Sequence, residues 1–164
     1  MPLQIVELSP TLHDREAFNC GNEDRNRYIQ ELANQHQRLG FSKTYVLTDT
    51  GSPAEIIGFY CLSAAQVDLG DIPEEDRRRL PRVPVPAARV GQLGVSVDHQ
   101  GEGHGTLLLQ HAVKRALTTR EQAMGVHMII VDADSEDAAN FYRKFGFSDC
   151  NAEGRSLYLC LGTG

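Results

Sequence analysis

The run LGVSVDHQGEGHGTLLLQHAV, residues 93–113, sets glycines at three alternate positions, Gly101, Gly103 and Gly105, between a β-branched stretch and a leucine-rich one. A strand ending near Val97, a glycine loop and a helix opening near Gly103 make a strand-to-helix turn, which constrains the fold more than any other stretch of the chain. The first N–H groups of a helix have no acceptor within the helix, and glycine removes the Cβ that would hold a ligand off the backbone. Such a turn favours phosphate oxygens. The same glycines also serve an ordinary tight turn, and spacing alone does not separate the two uses. Two phosphate motifs are excluded. A Walker loop requires GxxxxGK followed by Ser or Thr, and no lysine lies here. A dinucleotide fold requires GxGxxG after its opening strand, whereas this GxGxG follows about ninety residues that read as other elements.

Around that turn the hydrophobic periods order the chain. LQIVELS alternates as a strand, and Asn22–Leu39 reads as an amphipathic helix. TYVLTD and EIIGFYCLSAAQV read as a hairpin across the TGSPA turn. Residues 70–89 read as an irregular, proline-punctuated connection around a short charged helix. VGQLGVSV is a strand, and GTLLLQHAVKRAL is a helix with Leu109, Ala112, Val113 and Ala116 on one face. HMIIVDA is a strand, SEDAANFYRKF a helix stopped by Gly146, and SLYLCL a closing strand. Antiparallel strands followed by strand, helix, strand, helix, strand predict a mixed α/β layer with a central sheet.

With 164 residues, 41% hydrophobic and 23% charged, the chain is sized for one domain over 1–164 with a proper core. The N-terminus carries no basic start before an apolar run, and no stretch has eighteen uninterrupted apolar residues, so a cytoplasmic protein with no membrane partner is expected. Cys20, Cys61, Cys150 and Cys160 show no CxxC spacing and read as free thiols. His13, His36, His99, His104, His111 and His127 form no HxxxH or HExxH pair, so no metal is expected. The formal charge of −6 argues against general affinity for nucleic acid. One stretch departs from it: RRRLPRVPVPAAR, residues 77–89, holds Arg77, Arg78, Arg79, Arg82 and Arg89 with no acid among them.

Gln100-x-x-Gly103-x-Gly105 resembles the (Gln/Arg)-x-x-Gly-x-(Gly/Ala) loop of the acetyl-CoA-dependent GNAT N-acetyltransferases. SEDAANFYRKFGF, residues 135–147, is similar to the same family's A-x-x-x-Y-x-x-x-G-F segment, and lies in the family's order with 37 residues from Gly105 to Tyr142. The resemblance implies a central mixed sheet of six or seven strands, splayed at strands 4 and 5 and flanked by about four helices. It implies that the pyrophosphate of acetyl-CoA lies against backbone N–H groups of residues 100–106, which makes Gln100, Gly101, Gly103, His104, Gly105 and Thr106 candidate cofactor residues. His99 and Glu102 are then expected to face solvent. The pantetheine arm would pair with the backbone of Leu93 and Val95 as an added strand, with a free N–H polarising the thioester carbonyl.

Tyr142 is the candidate catalytic residue. Attack of an amine on a thioester expels a thiolate, and a phenol with a pKa near 10 is able to protonate it while staying neutral at pH 7. Taken by themselves, Phe141, Tyr142 and Phe145 read as core aromatics at helical spacing; the resemblance singles out Tyr142 and leaves the two phenylalanines as packing. Many family members carry Asn seven residues before the tyrosine, where this chain has Ser135, so a contact made by that Asn is not carried over. No general base is picked out by spacing. An α-amine, with a pKa of about 7.7–8.0, needs less help losing its proton than a lysine near 10.4, which suggests an α-amine acceptor.

A narrower resemblance lies in FNCGNEDRNRYIQELA, GFYCLSAAQV, LPRVPVPAARVGQLGVSVDHQGEGHG and NFYRKFGF. These stretches are similar to the GNAT toxins of bacterial toxin-antitoxin modules, and the P-x-P at Pro84 and Pro86 is the most specific part. That likeness implies acetylation of aminoacyl-tRNA, a block of translation, a ribbon-helix-helix antitoxin as partner and a possible homodimer. The five arginines would meet tRNA phosphates, although a charge run also serves as a solvated face. Two other readings stay open: an acetyltransferase for a small amine of the polyamine or aminoglycoside type, drawn by the acidic charge, and a non-catalytic module that kept the fold.

Overall fold

A computed structural model describes residues 2–151 and 155–162. Its strands β1 (Leu3–Glu7), β2 (Lys43–Asp49), β3 (Gly58–Val67), β4 (Val85–Val95), β5 (Met128–Asp132), β6 (Ser148–Asp149) and β7 (Ser156–Cys160) form a seven-stranded sheet in the order β1-β2-β3-β4-β5-β7-β6. By backbone contacts the chain divides into two compact units, Met1–Ser63 with Gly91–Ala112 and Ala64–Val90 with Val113–Gly164. Strands β3 (Gly58–Val67) and β4 (Val85–Val95) contribute residues to both.

In the first unit β1 (Leu3–Glu7) runs antiparallel to β2 (Lys43–Asp49), and β2 antiparallel to β3 with Leu47 opposite Gly58. Between β1 and β2 the predicted helix appears in three pieces: α1 (Glu23–Arg27), a wide π turn (Tyr28–Leu32) and α2 (Ala33–Leu39). Asn22 caps it, accepting the Arg25 N–H at 3.0 Å, and Gly40 ends it at φ +77°, a backbone that favours glycine. Tyr28, Ile29 and Ala33 turn inward against Phe18, Val46 and Phe59. Phe18 meets Phe59 edge-on at 5.3 Å, and Tyr28 stacks on Phe59 at 6.4 Å. Burial, then Cys61, pushes the Tyr28 phenol up to about 12.

Burial also lowers the pKa of His13, which is 5% exposed, from its ordinary 6.5. The folded state therefore holds fewer protons than the unfolded chain just below pH 6.5, and its stability rises with pH across that window. We expect the urea midpoint to be constant above about pH 7 and to fall as pH drops below about 6.5, with a weaker fall in His13→Gln. His127, lowered by burial and then by Arg120, adds to the same trend.

In the second unit β4 pairs in parallel with β5 (Met128–Asp132) from Ala87 to Val90. This is four of β4's eleven residues. β5 lies antiparallel to β7 (Ser156–Cys160), and β7 to the two-residue β6 (Ser148–Asp149), which the sequence reading did not contain. Val67, Ile72, Val85, Ala87, Met128, Ile130 and Tyr158 pack together. Strand β4 starts five residues earlier than read from sequence. Pro86 is tolerated because it sits second in the strand, where only its carbonyl is called on, accepting the His127 N–H at 2.8 Å.

Candidate functional site

Helix α4 (His104–Gln122) follows the glycine loop. Its first turn-closing bond is Leu107 N–H to Gly103 C=O at 3.2 Å, so the N–H groups of His104, Gly105 and Thr106 precede the helical ladder. Gly101 and Gly103 take φ +81° and +84°. A Cβ at either would meet nothing within 4 Å. The protein's own packing thus leaves the space beside these glycines open, and what they provide is the left-handed backbone and an uncovered surface.

Gln100 sits differently from what a ligand contact would suggest. Its side-chain amide donates to Cys20 C=O at 3.0 Å and to Val95 C=O at 2.9 Å. The side chain ties the loop to the end of β4, leaving the backbone as its available contact. Leu93 and Val95 lie in the C-terminal part of β4, both partly buried. That segment is closely approached: a Cβ on Gly58 would stand 2.9 Å from Leu108 Cδ1 and 3.0 Å from Gly94 C=O, and one on Gly94 would stand 3.3 Å from Cys20 Sγ.

His99 does not simply face solvent. It is half-buried, its Nδ1 3.8 Å from Glu102 and its Nε2 3.6 Å from Glu55. His104 Nε2 is 3.1 Å from the same Glu102 oxygen, and its side chain is 11% exposed. Glu102 itself is exposed, as expected. Helical pair spacings such as HxxxH and HExxH do not express this cluster, because the two left-handed glycines fold H-x-x-E-x-H back on itself.

In the second unit α5 (Glu136–Phe145) holds Tyr142 in a tightly specified place. Ser135 Oγ accepts the Ala138 N–H at 3.1 Å, and Gly146, at φ +123°, donates to Arg143 and Tyr142 C=O. Phe147 N–H also returns to Tyr142 C=O at 3.0 Å. Tyr142 is 7% exposed, its ring 5.3 Å from Phe141 and 5.6 Å from Phe147. Phe141 and Phe145 are only partly buried, and Phe147 is the buried phenylalanine of this corner.

The arginine run separates into two settings. Arg77, Arg78 and Arg82 line one open cavity of about 550 Å³ with Leu69, Glu74, Leu80, Val83 and Pro84, while Arg79 is exposed outside that lining. Arg77 ends the short α3 (Glu74–Arg77), which Tyr158 fixes by donating its hydroxyl to the Asp76 carboxylate. Burial first, then that hydrogen bond, raises the Tyr158 pKa. Arg89 belongs to strand β4 instead: it pairs with Asp132 on β5, whose other oxygen accepts Ser156 Oγ at 2.6 Å.

The seven-stranded sheet, the glycine turn before the long helix and the capped helix bearing a buried tyrosine are the features that the resemblance to GNAT acetyltransferases implies. The chain belongs to the GNAT acetyltransferase family: the family model described as an acetyltransferase (GNAT) domain matches residues 40–149. It is 31% identical over 148 residues to the tRNA-acetylating toxin of Mycobacterium tuberculosis, covering 90% of this chain and 86% of that protein. It is 27% identical over 169 residues to the probable toxin TacT of Sinorhizobium fredii, covering 98% and 92%. Among solved structures, AtaT complexed with acetyl-methionyl-tRNAfMet superposes with a TM-score of 0.90 at 24% identity, over 97% of this chain and 95% of that one, which shows the shared fold.

Proposed function

We propose that this protein, as one GNAT domain, transfers the acetyl group of acetyl-CoA to the α-amine of an aminoacyl-tRNA and so acts as the toxin of a toxin-antitoxin module. The observation that carries this reading is the likeness to a tRNA-acetylating toxin over nine-tenths of the chain. The fold and the open glycine turn support it. The cofactor's pyrophosphate is assigned to the N–H groups of residues 100–106, including Gly101, Gly103, His104, Gly105 and Thr106, and the pantetheine arm to the backbone of Leu93 and Val95. The neutral α-amine attacks the thioester carbonyl, the C–S bond breaks, and the departing thiolate takes the phenolic proton of Tyr142. Proton loss from the new ammonium to water and reprotonation of the phenolate complete the balance. Arg77, Arg78 and Arg82 are assigned to tRNA phosphates, and Arg79 and Arg89 to peripheral roles. The partner that silences the enzyme is an antitoxin, of ribbon-helix-helix type by the family likeness, and a homodimer is part of the same reading.

The glycines give a direct test of the cofactor assignment. Because a Cβ at Gly103 meets no protein atom within 4 Å, Gly103→Ala costs only the left-handed backbone, about 1–2 kcal/mol. A pyrophosphate against that backbone adds a second loss. We expect the KM for acetyl-CoA to rise by tenfold or more, since a hydrogen bond to a charged group is worth about 1.5–3 kcal/mol and about 1.4 kcal/mol is tenfold, in protein that melts cooperatively. A KM that stays put while the melting temperature falls would remove the pyrophosphate from this turn.

A further inference from the structure

Two imidazoles and a carboxylate converge on the glycine loop. Ligand atoms of His99, Glu102 and His104 lie within 4.8 Å of one another, with His104 Nε2 at 3.1 Å and His99 Nδ1 at 3.8 Å from Glu102 Oε2. Bond lengths of about 2.0–2.2 Å to zinc at tetrahedral angles place ligand atoms about 3.4 Å apart, so small side-chain adjustments close the set. The backbone supports this geometry. His99 ends a 3₁₀ turn, its N–H bonded to Ser96 C=O at 2.9 Å, and His104 is the first residue of α4. The left-handed Gly101 and Gly103 bring Glu102 between them.

An independent observation lies on the far side of His99. Its Nε2 stands 3.6 Å from Glu55 Oε1 while Nδ1 faces Glu102. A histidine that binds a metal through one nitrogen commonly donates the other N–H to a carboxylate, which fixes its tautomer and orientation. At 3.6 Å the Glu55 carboxylate stands just beyond hydrogen-bond distance, on the side of His99 where such a partner would sit.

We propose that His99, Glu102 and His104 form a site for a zinc-class divalent cation, oriented by Glu55 and with a fourth position open. Two imidazoles and one carboxylate favour zinc and its transition-metal neighbours over magnesium or calcium, which take all-oxygen sets. The cation turns a cluster of charge −1 into one of +1. Where the loop holds pyrophosphate, as in the function proposed above, this removes the repulsion of the Glu102 carboxylate and tightens coenzyme A.

The test uses tag-free full-length protein at pH 7.5, titrated with zinc against a chromophoric chelator. One equivalent is expected to bind, weakened tenfold or more in His99→Ala, Glu102→Gln and His104→Ala, and about tenfold in Glu55→Gln. Equal binding in a folded His99→Ala/His104→Ala protein overturns the site, as does the absence of stoichiometric binding to the parent. Cobalt substitution gives a readout that does not depend on variants folding: a tetrahedral visible spectrum without thiolate charge transfer is expected, and a strong thiolate band, placing the metal on Cys20, Cys61, Cys150 or Cys160, overturns it. Coenzyme A affinity measured with and without zinc is expected to differ several-fold in the parent and not at all in the double variant; an unchanged affinity in the parent overturns the coupling. Failure of coenzyme A to bind in either condition counts against the cofactor reading, while the chelator titration reads the metal site without it.

Discussion

Replacing Tyr142 by phenylalanine is expected to lower the rate of acetyl transfer by about 10²- to 10⁴-fold, the range that a positioned general acid contributes, with the KM for acetyl-CoA within a few-fold of the parent. The expectation is sharp because the substitution removes one oxygen from a well-fixed ring. Ser135 and Gly146 cap α5 at both ends, and the ring packs against Phe141 and Phe147. None of these contacts needs the hydroxyl. Loss of one buried hydroxyl hydrogen bond costs about 0.5–1.5 kcal/mol, so the protein stays folded and the thermal melt shifts only slightly. Turnover near the parental rate in such a folded variant would return Tyr142 to the core. A parallel loss of rate and of melting temperature would identify a packing defect.

If the proposed tRNA assignment holds, converting Arg77, Arg78 and Arg82 together to glutamine is expected to weaken tRNA binding and to flatten the plot of log affinity against log salt. Each lost phosphate contact is worth about 0.7–0.9 in slope, so the triple variant is expected to lose about 2–3. The three share one groove with Leu80, Val83 and Pro84. Arg79→Gln, outside that lining, is expected to leave the slope unchanged, where loss of a phosphate contact would flatten it by about 0.7–0.9. Arg89 is set apart by its pairing with Asp132. A slope unchanged in the triple variant would make this face an ordinary solvated one, in keeping with the overall charge of −6. Acetylation of a short aminoacyl-nucleotide, which lacks those phosphates, serves as the control for an intact transferase centre.

Helix α5 was legible to within a residue because its signals are local: Gly146 supplies the backbone that other residues resist and marks the end, while Ser135, read as the first helical residue, is the N-cap whose side chain accepts the Ala138 N–H. The glycine turn was legible for the same reason. The start of β4 was not, since Pro84 and Pro86 mark a break by every local rule, and only the single contact asked of Pro86, its carbonyl on His127, makes the strand possible there. The inward face of α4 shifted by a residue: Leu108, Leu109, Ala112 and Ala116 are buried and Val113 is half-buried, a rotation that periodicity averages over. The close approaches at Gly58, Gly91 and Gly94, where a Cβ would meet Leu108, Cys61 or Cys20, are long-range and have no local signature. The convergence of His99, Glu102 and His104 depends on two left-handed residues, which a pattern of one-letter codes does not express.

The most direct measurement is transfer of labelled acetyl from acetyl-CoA to a pool of charged tRNAs, beside uncharged tRNA, spermidine and a lysine peptide, with Tyr142→Phe as control. Label on charged tRNA, absent from uncharged tRNA and greatly reduced with the variant, is the result predicted for an aminoacyl-tRNA α-amine acetyltransferase. Label on spermidine or the peptide with none on charged tRNA would contradict it and make this chain a small-amine or lysine acetyltransferase.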